Sequence, residues 1–144
     1  MQKFRCDCPV TTALDILGDK WMLVIIKQML LEGVKTFKEF TQSDEAIATN
    51  ILSSKLKCLE QHGLIEKTNH PSNKKTKIYQ LTDRGLSLTP IVVELALWSD
   101  QNLKEFNPIM RKSDELEAMK NDKEGFVEKL KVHYKESLAQ ALSG

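Results

Sequence analysis

Apolar side chains recur with a helical period along most of this chain. After Pro9, the residues Val10, Ala13, Leu14 and Leu17 repeat at spacings of three and four. That puts them on one face of a short helix, with Pro9 tolerated in its first turn and Gly18 as its stop. Residues 20–31 are almost continuously apolar, so the helix they form must be covered on most sides and predicts the centre of the core. Gly33 closes it, and Thr36 is placed to cap a short helix, Phe37–Thr41, with Phe37 and Phe40 on one face. A polar connector, 42–45, leads to a helix over 49–62 that Gly63 ends in a left-handed conformation. Leu52, Leu56 and Leu59 form its inner stripe. At about 100° per residue, Asn50, Ser54, Lys57 and Gln61 point away from that stripe, with Ser53 and Cys58 on the flanks.

The period then shortens. Residues 64–68 and 76–81 alternate as two short strands, and the segment between them, 69–75, is dense in turn formers and lysines, which predicts a β-hairpin with a basic tip. Thr82 and Asp83 start another helix carrying Leu86, Leu88, Ile91, Val92, Leu95, Ala96 and Trp98, which Pro90 must bend or delay. Beyond Asn107-Pro108, region 113–143 keeps Phe126, Leu130, Tyr134 and Leu138 at helical spacing among alternating Lys and Glu. An amphipathic helix that far from the core needs a partner surface. The expected fold is mainly α with a small β component: a winged helix-turn-helix in 1–106, with extra terminal helices and a helical extension over 107–144. In that geometry Phe37–Thr41 packs across the helix at 49–62, which is left free to enter a major groove while the hairpin reaches the neighbouring backbone.

Composition adds a locality to this picture. The 144 residues, 41% hydrophobic, allow one core and an appendage, and the net charge is only +1. Divided along the chain, residues 49–84 hold seven Lys/Arg against three Asp/Glu, whereas 113–144 hold five against seven. A local basic segment of +4 suits either a nucleic-acid footprint or an ordinary solvated face. No apolar run approaches the roughly 20 residues that span a bilayer, and no apolar leader follows Lys3 and Arg5, so a cytoplasmic protein without membrane contact is expected. Three cysteines, Cys6, Cys8 and Cys58, make an odd set for which reduced thiols are the default.

Several motifs recur in one order: Cys8-Pro9-Val10, Gly18-Asp19-Lys20-Trp21 before an apolar helix, Phe37-Lys38-Glu39-Phe40, the run 52–60, Gly63-Leu64-Ile65, and the run 79–85. Together they resemble the HxlR-type bacterial transcriptional regulators over about residues 6–103. The resemblance implies a homodimer built from the N-terminal and last helices, binding double-stranded DNA at an inverted-repeat operator and having no enzymatic activity. Carried onto this chain, the recognition helix supplies Thr49, Asn50, Ser53, Ser54, Lys55 and Lys57, and the wing supplies Asn73, Lys74, Lys75 and Lys77. Thr36 and Lys38, at the start of the preceding helix, complete the candidate DNA-contact set. Ser, Thr and Asn reach base edges or phosphates, whereas lysines mainly neutralise phosphate. Family members often carry Arg on this helix; lysines alone weaken bidentate reading of guanine. The tail beyond 113 exceeds the family pattern, so no role is transferred to it.

Cys8 sits directly before Pro-Val at a helix start, where the dipole favours the thiolate. The resemblance implies a sensor of oxidants or electrophiles acting through that thiol, with a small-molecule or oxidant effector. Cys6 is either a resolving thiol or part of a Cys6-Asp7-Cys8 soft-metal triplet, which lacks the usual four ligands unless a His or a second subunit contributes. Cys58 reads as a small packed hydrophobe. Trp21 and Trp98 are expected to pack the core and the dimer interface. His62, His70 and His133 form no metal or catalytic set, and there is no phosphate loop or nucleophile elbow, so neither a cofactor nor an enzyme is expected. The rival reading is a protein-interaction module that docks a partner through the helix at 113–143.

Overall fold

The computed structural model describes residues 3–143; Met1, Gln2 and Gly144, at the outer ends of the two expected units, lie outside the described residues. The element order is α1 (Pro9–Leu17), α2 (Met22–Glu32), α3 (Phe37–Thr41), α4 (Thr49–Gln61), β1 (Ile65–His70), β2 (Asn73–Leu81), α5 (Asp83–Leu86), α6 (Thr89–Asn102), α7 (Asp114–Asn121) and α8 (Lys123–Ser143). This is a winged helix-turn-helix: α3 and α4 form the turn motif, and the antiparallel β1–β2 hairpin is the wing.

Local chemistry sets each boundary. Asp19 Oδ1 accepts the amides of Trp21 and Met22 at 2.8 and 2.9 Å, starting α2. Gly33 ends that helix at φ 69°, a conformation cheap only for glycine. A capping box opens α3: Thr36 Oγ1 accepts the Glu39 amide while Glu39 Oε1 accepts the Thr36 amide. Helix α2 is the central post, with Met22, Ile25, Ile26 and Met29 fully buried against Phe40, Leu52, Leu56 and Leu59. Gln28 is fully buried on the same helix, donating to Ser43 Oγ and Glu45 Oε1, and so ties the α3–α4 connector to the core.

The structure sharpens three expectations. The strands run further than the alternation suggested, so the turn shrinks to Pro71-Ser72, and Lys74 and Lys75 stand in β2. Local acceptors close this tight turn: the Ser72 amide donates to His70 Nδ1 and the Lys75 amide to Asn73 Oδ1, both at 3.1 Å, beside a bulge at Asn69/His70. Next, the helix starting at Thr82 splits into α5 and α6, with Pro90 in the first turn of α6. Finally, the amphipathic tail finds its partner surface on the chain itself. Val127 joins Val93, Leu116 and Met119 in a second cluster, and Tyr134 joins the main core. The face that would have docked a foreign partner is therefore already packed.

Trp98 does not pack the core. It is 55% exposed, in line with Ile91 and Leu95 on the outer face of α6, because Val92 and Val93 take the inner one. Trp21 is half-buried against the core, with the Lys20 ammonium 5.2 Å from its ring centre.

Candidate nucleic-acid interface

The leucine stripe of α4 fixes the orientation of its opposite face. With Leu52, Leu56 and Leu59 buried, Thr49, Asn50, Ser53, Ser54 and Lys57 stand exposed along the outer side. Lys55 is held elsewhere: its Nζ lies 2.7 Å from Asp19 Oδ2, half-buried beside the start of α2.

The wing is fastened to the turn motif at two points. Phe40 of α3 meets the Tyr79 ring edge-on at 6.2 Å between centroids, and the Tyr79 amide donates to Lys35 O at 2.7 Å. This brings Thr36, Lys38, Thr41 and Thr49 of the turn motif into one open cleft with Lys75, Thr76, Lys77 and Tyr79 of the wing. The cleft carries three ammonium groups and four threonines, none of them fully buried, and no carboxylate occurs among its described lining residues. Such a surface suits a polyanion. Burial, then the nearby Glu60 carboxylate, push the Tyr79 phenol up, so it stays a neutral hydroxyl at the cleft wall.

The candidates divide by position. Thr36, Lys38, Thr49, Lys75 and Lys77 share the cleft; Asn50, Ser53, Ser54 and Lys57 continue along α4; Asn73 and Lys74 lie exposed beside the hairpin turn. The Thr36 hydroxyl is already engaged in the capping box. Thr41, Thr76 and Tyr79 also line the cleft and had not been singled out in the sequence. Thr41 follows Lys38 by three residues on a helix, so the helical period carried that signal.

The thiols occupy a separate region. Cys8 is the residue before the first turn of α1, and its carbonyl accepts the Thr12 amide at 2.9 Å and the Thr12 hydroxyl at 3.0 Å. Its sulfur makes no capping hydrogen bond of regular geometry, yet the Thr11 backbone, then the Thr11 hydroxyl and the Val10 amide, hold the thiol below its ordinary range. Cys6 is exposed two residues earlier, on a segment that Arg5 folds back onto α1 through Asp15 at 2.6 Å. Cys58, half-buried on α4, packs against the core with its sulfur 3.6 Å from His62 Nδ1. Among the described residues, no three potential ligands gather as a metal site, and no helix is long and apolar enough to cross a membrane.

The model of the HxlR-like helix-turn-helix family matches residues 16–107. The HTH-type transcriptional regulator YodB of Bacillus subtilis (strain 168) is 36% identical over 95 residues, covering 65% of this chain and 84% of YodB. Among solved structures, the redox regulator HypR in its reduced form superposes with a TM-score of 0.60 at 29% identity, covering 70% of this chain and 99% of HypR. Quinone-bound YodB from B. subtilis superposes with a TM-score of 0.53 at 35% identity, covering 65% and 99%.

Proposed function

The chain belongs to the HxlR-like helix-turn-helix family of transcriptional regulators, and on that premise we propose that it binds an inverted-repeat operator in duplex DNA as a homodimer and changes affinity when Cys8 is modified. The observation that carries the reading is the cleft in which the turn motif and the wing present Lys38, Lys75 and Lys77 together. In this reading α4 enters the major groove and offers Asn50, Ser53 and Ser54 to base edges, while Lys57 and the wing lysines, with Asn73, meet phosphates. The unit 1–106 holds every proposed contact, and 107–144 extends it. Acting on a bacterial operator places the protein in the cytoplasm, and nothing in its proposed action requires turnover of a substrate.

Dimerisation is supported by two apolar stripes left open on the protomer: Val10 and Leu14 on α1, and Ile91, Leu95 and Trp98 on α6. Thiol switching is supported by the lowered Cys8 thiol and by the two structural relatives, one a redox regulator and the other a quinone-bound regulator. A quinone or another soft electrophile, or an oxidant that drives disulfide formation, is the effector class that chemistry selects.

The test is a footprint of the protein on the DNA flanking its own gene, with and without diamide. Protection of an inverted repeat, lost on diamide treatment and retained by Cys8→Ser, is the expected result. Substituting Ser54 and Lys57 by Ala should abolish the footprint at the concentration where wild type protects. No protection at low salt by the wild-type chain would sink the DNA reading.

A further inference from the structure

We propose that α8 sets the position of the wing, with Tyr134 and Ser137 as positioning residues for DNA binding. This rests on the reading above, but the clamp itself is a property of the free protein.

A two-stranded hairpin has an outer edge whose amides need partners when buried. At the root of the wing the edge of β2 turned away from β1 carries the amides of Tyr79 and Leu81, two residues apart. The first donates to Lys35 O at 2.7 Å, and the second donates to Tyr134 Oη at 2.8 Å. Tyr134 is 3% exposed and Leu81 is 6% exposed, so water does not substitute for that hydroxyl. Lys35 is in turn held by α8, because its Nζ donates to Ser137 Oγ at 3.0 Å. Both outward amides at the wing root therefore depend on one stretch of α8, spaced by three residues and so facing one side.

Lys35 also sits next to the helix-turn-helix: its own amide donates to Glu39 Oε1, the carboxylate of the α3 capping box. The same stretch of α8 thus touches the root of the wing and the threshold of α3, the two walls of the cleft. Its near end is anchored independently, since Val127 packs with Val93, Leu116 and Met119, and Lys123 pairs with Glu94 of α6. All of α8 lies beyond the residues matched by the family model, so this chain fixes its wing with a segment outside the shared domain.

Amide hydrogen exchange of the full-length free protein tests the clamp. Tyr134→Phe keeps the ring and removes the acceptor, so wing amides in β1 and β2 should exchange about tenfold faster while α4 changes less than about twofold. Ser137→Ala, a milder change, should speed the Tyr79 amide alone. Unchanged wing exchange in both variants, or an equal rise in α4 and the wing, overturns the clamp; if Tyr134→Phe does not fold, the Ser137→Ala result decides in the same way.

The consequence for DNA is read on a mixed-sequence duplex. Replacing Lys74 and Lys75 by Ala should lower the slope of log affinity against log salt by about 1.8 in wild type, and by less than about 0.9 in the Tyr134→Phe background. An equal fall in both backgrounds overturns the positioning role. A wild-type chain that binds no duplex while its wing exchange still responds to Tyr134→Phe overturns the regulator reading and leaves the clamp standing.

Discussion

Backbone amides can set the reactivity of a single side chain, and Cys8 is the case in point. The Thr11 backbone, followed by its hydroxyl and the Val10 amide, stabilises the thiolate in the folded chain. A thiol lowered in the folded state contributes stability above its unfolded value of about 8.5, and that contribution is lost as pH falls through the folded value. Alkylation of Cys8 by iodoacetamide should therefore reach its plateau at lower pH in the native chain than in denaturant, as peptide mass spectrometry across a pH series would show. Coincident profiles would remove the helix start as the cause. Asp19 makes a second case. Burial opposes its ionisation, but the Lys55 ammonium and the amides of Met22 and Trp21 outweigh it and hold the carboxyl below its usual range. Asp19→Ala should cost about 1 kcal/mol by chemical denaturation, through the lost helix start. It should also free Lys55 and raise the salt slope of duplex binding by about 0.9. A slope that stays put would show that Lys55 faces away from the phosphates even when released.

At the scale of elements, whatever is encoded by local chemistry could be read before the fold was known. Gly33 and Gly63 mark their helix ends, Thr36 opens α3 and Pro90 delays α6, because a cap or a missing N–H acts within one turn. The outer face of α4 was equally legible, since Leu52, Leu56 and Leu59 specify the opposite side by spacing alone. What escaped depends on contacts between distant residues. The outward amide of Leu81 meets Tyr134 53 positions later, and Lys35 meets Ser137 across 102, so no window of sequence shows that the tail packs on the wing root. Gln28 looks like a polar interruption of an apolar helix until Ser43 and Glu45 arrive to accept from its amide nitrogen. The joint between α6 and α7 is of the same kind. The Lys120 ammonium, joined by Lys104, holds the buried Asp100 carboxyl low against the opposing effect of burial. A depressed carboxyl contributes stability above its unfolded value of about 3.9 and loses it as pH falls through the folded value. Thermal midpoints of wild type and Asp100→Asn should therefore differ most near neutrality and converge below about pH 4. A gap that persists in acid would assign the effect to packing instead.

For the whole molecule the question is what covers its open apolar surface. The protomer exposes 9495 Å², whereas a compact monomer of 16.4 kDa exposes about 7,500 Å². Part of the excess is the wing, and part is apolar: α1 offers Val10 and Leu14, α6 offers Ile91, Leu95 and Trp98, and the segment after α6 adds Phe106 and Ile109. A groove between α2 and α6 continues that surface, lined by Leu23, Val24, Leu31, Leu95, Trp98 and Leu103. A second copy offering the same stripes would bury it by two-fold symmetry, and the same symmetry would present two copies of α4 to an inverted repeat. Because Cys8 starts the helix that carries Val10 and Leu14, the proposed thiol switch would act at the edge of that proposed interface. Placing Glu at both Leu95 and Trp98 puts unpaired charges in the proposed interface while leaving the buried face of α6 untouched. Light scattering should then show a monomer with an unchanged circular dichroism spectrum. Operator affinity should fall at least about 100-fold, because the second half-site is no longer bound intramolecularly. A doubly substituted chain that remains a dimer would move the interface off α6, and a monomeric wild type would end the argument from symmetry altogether.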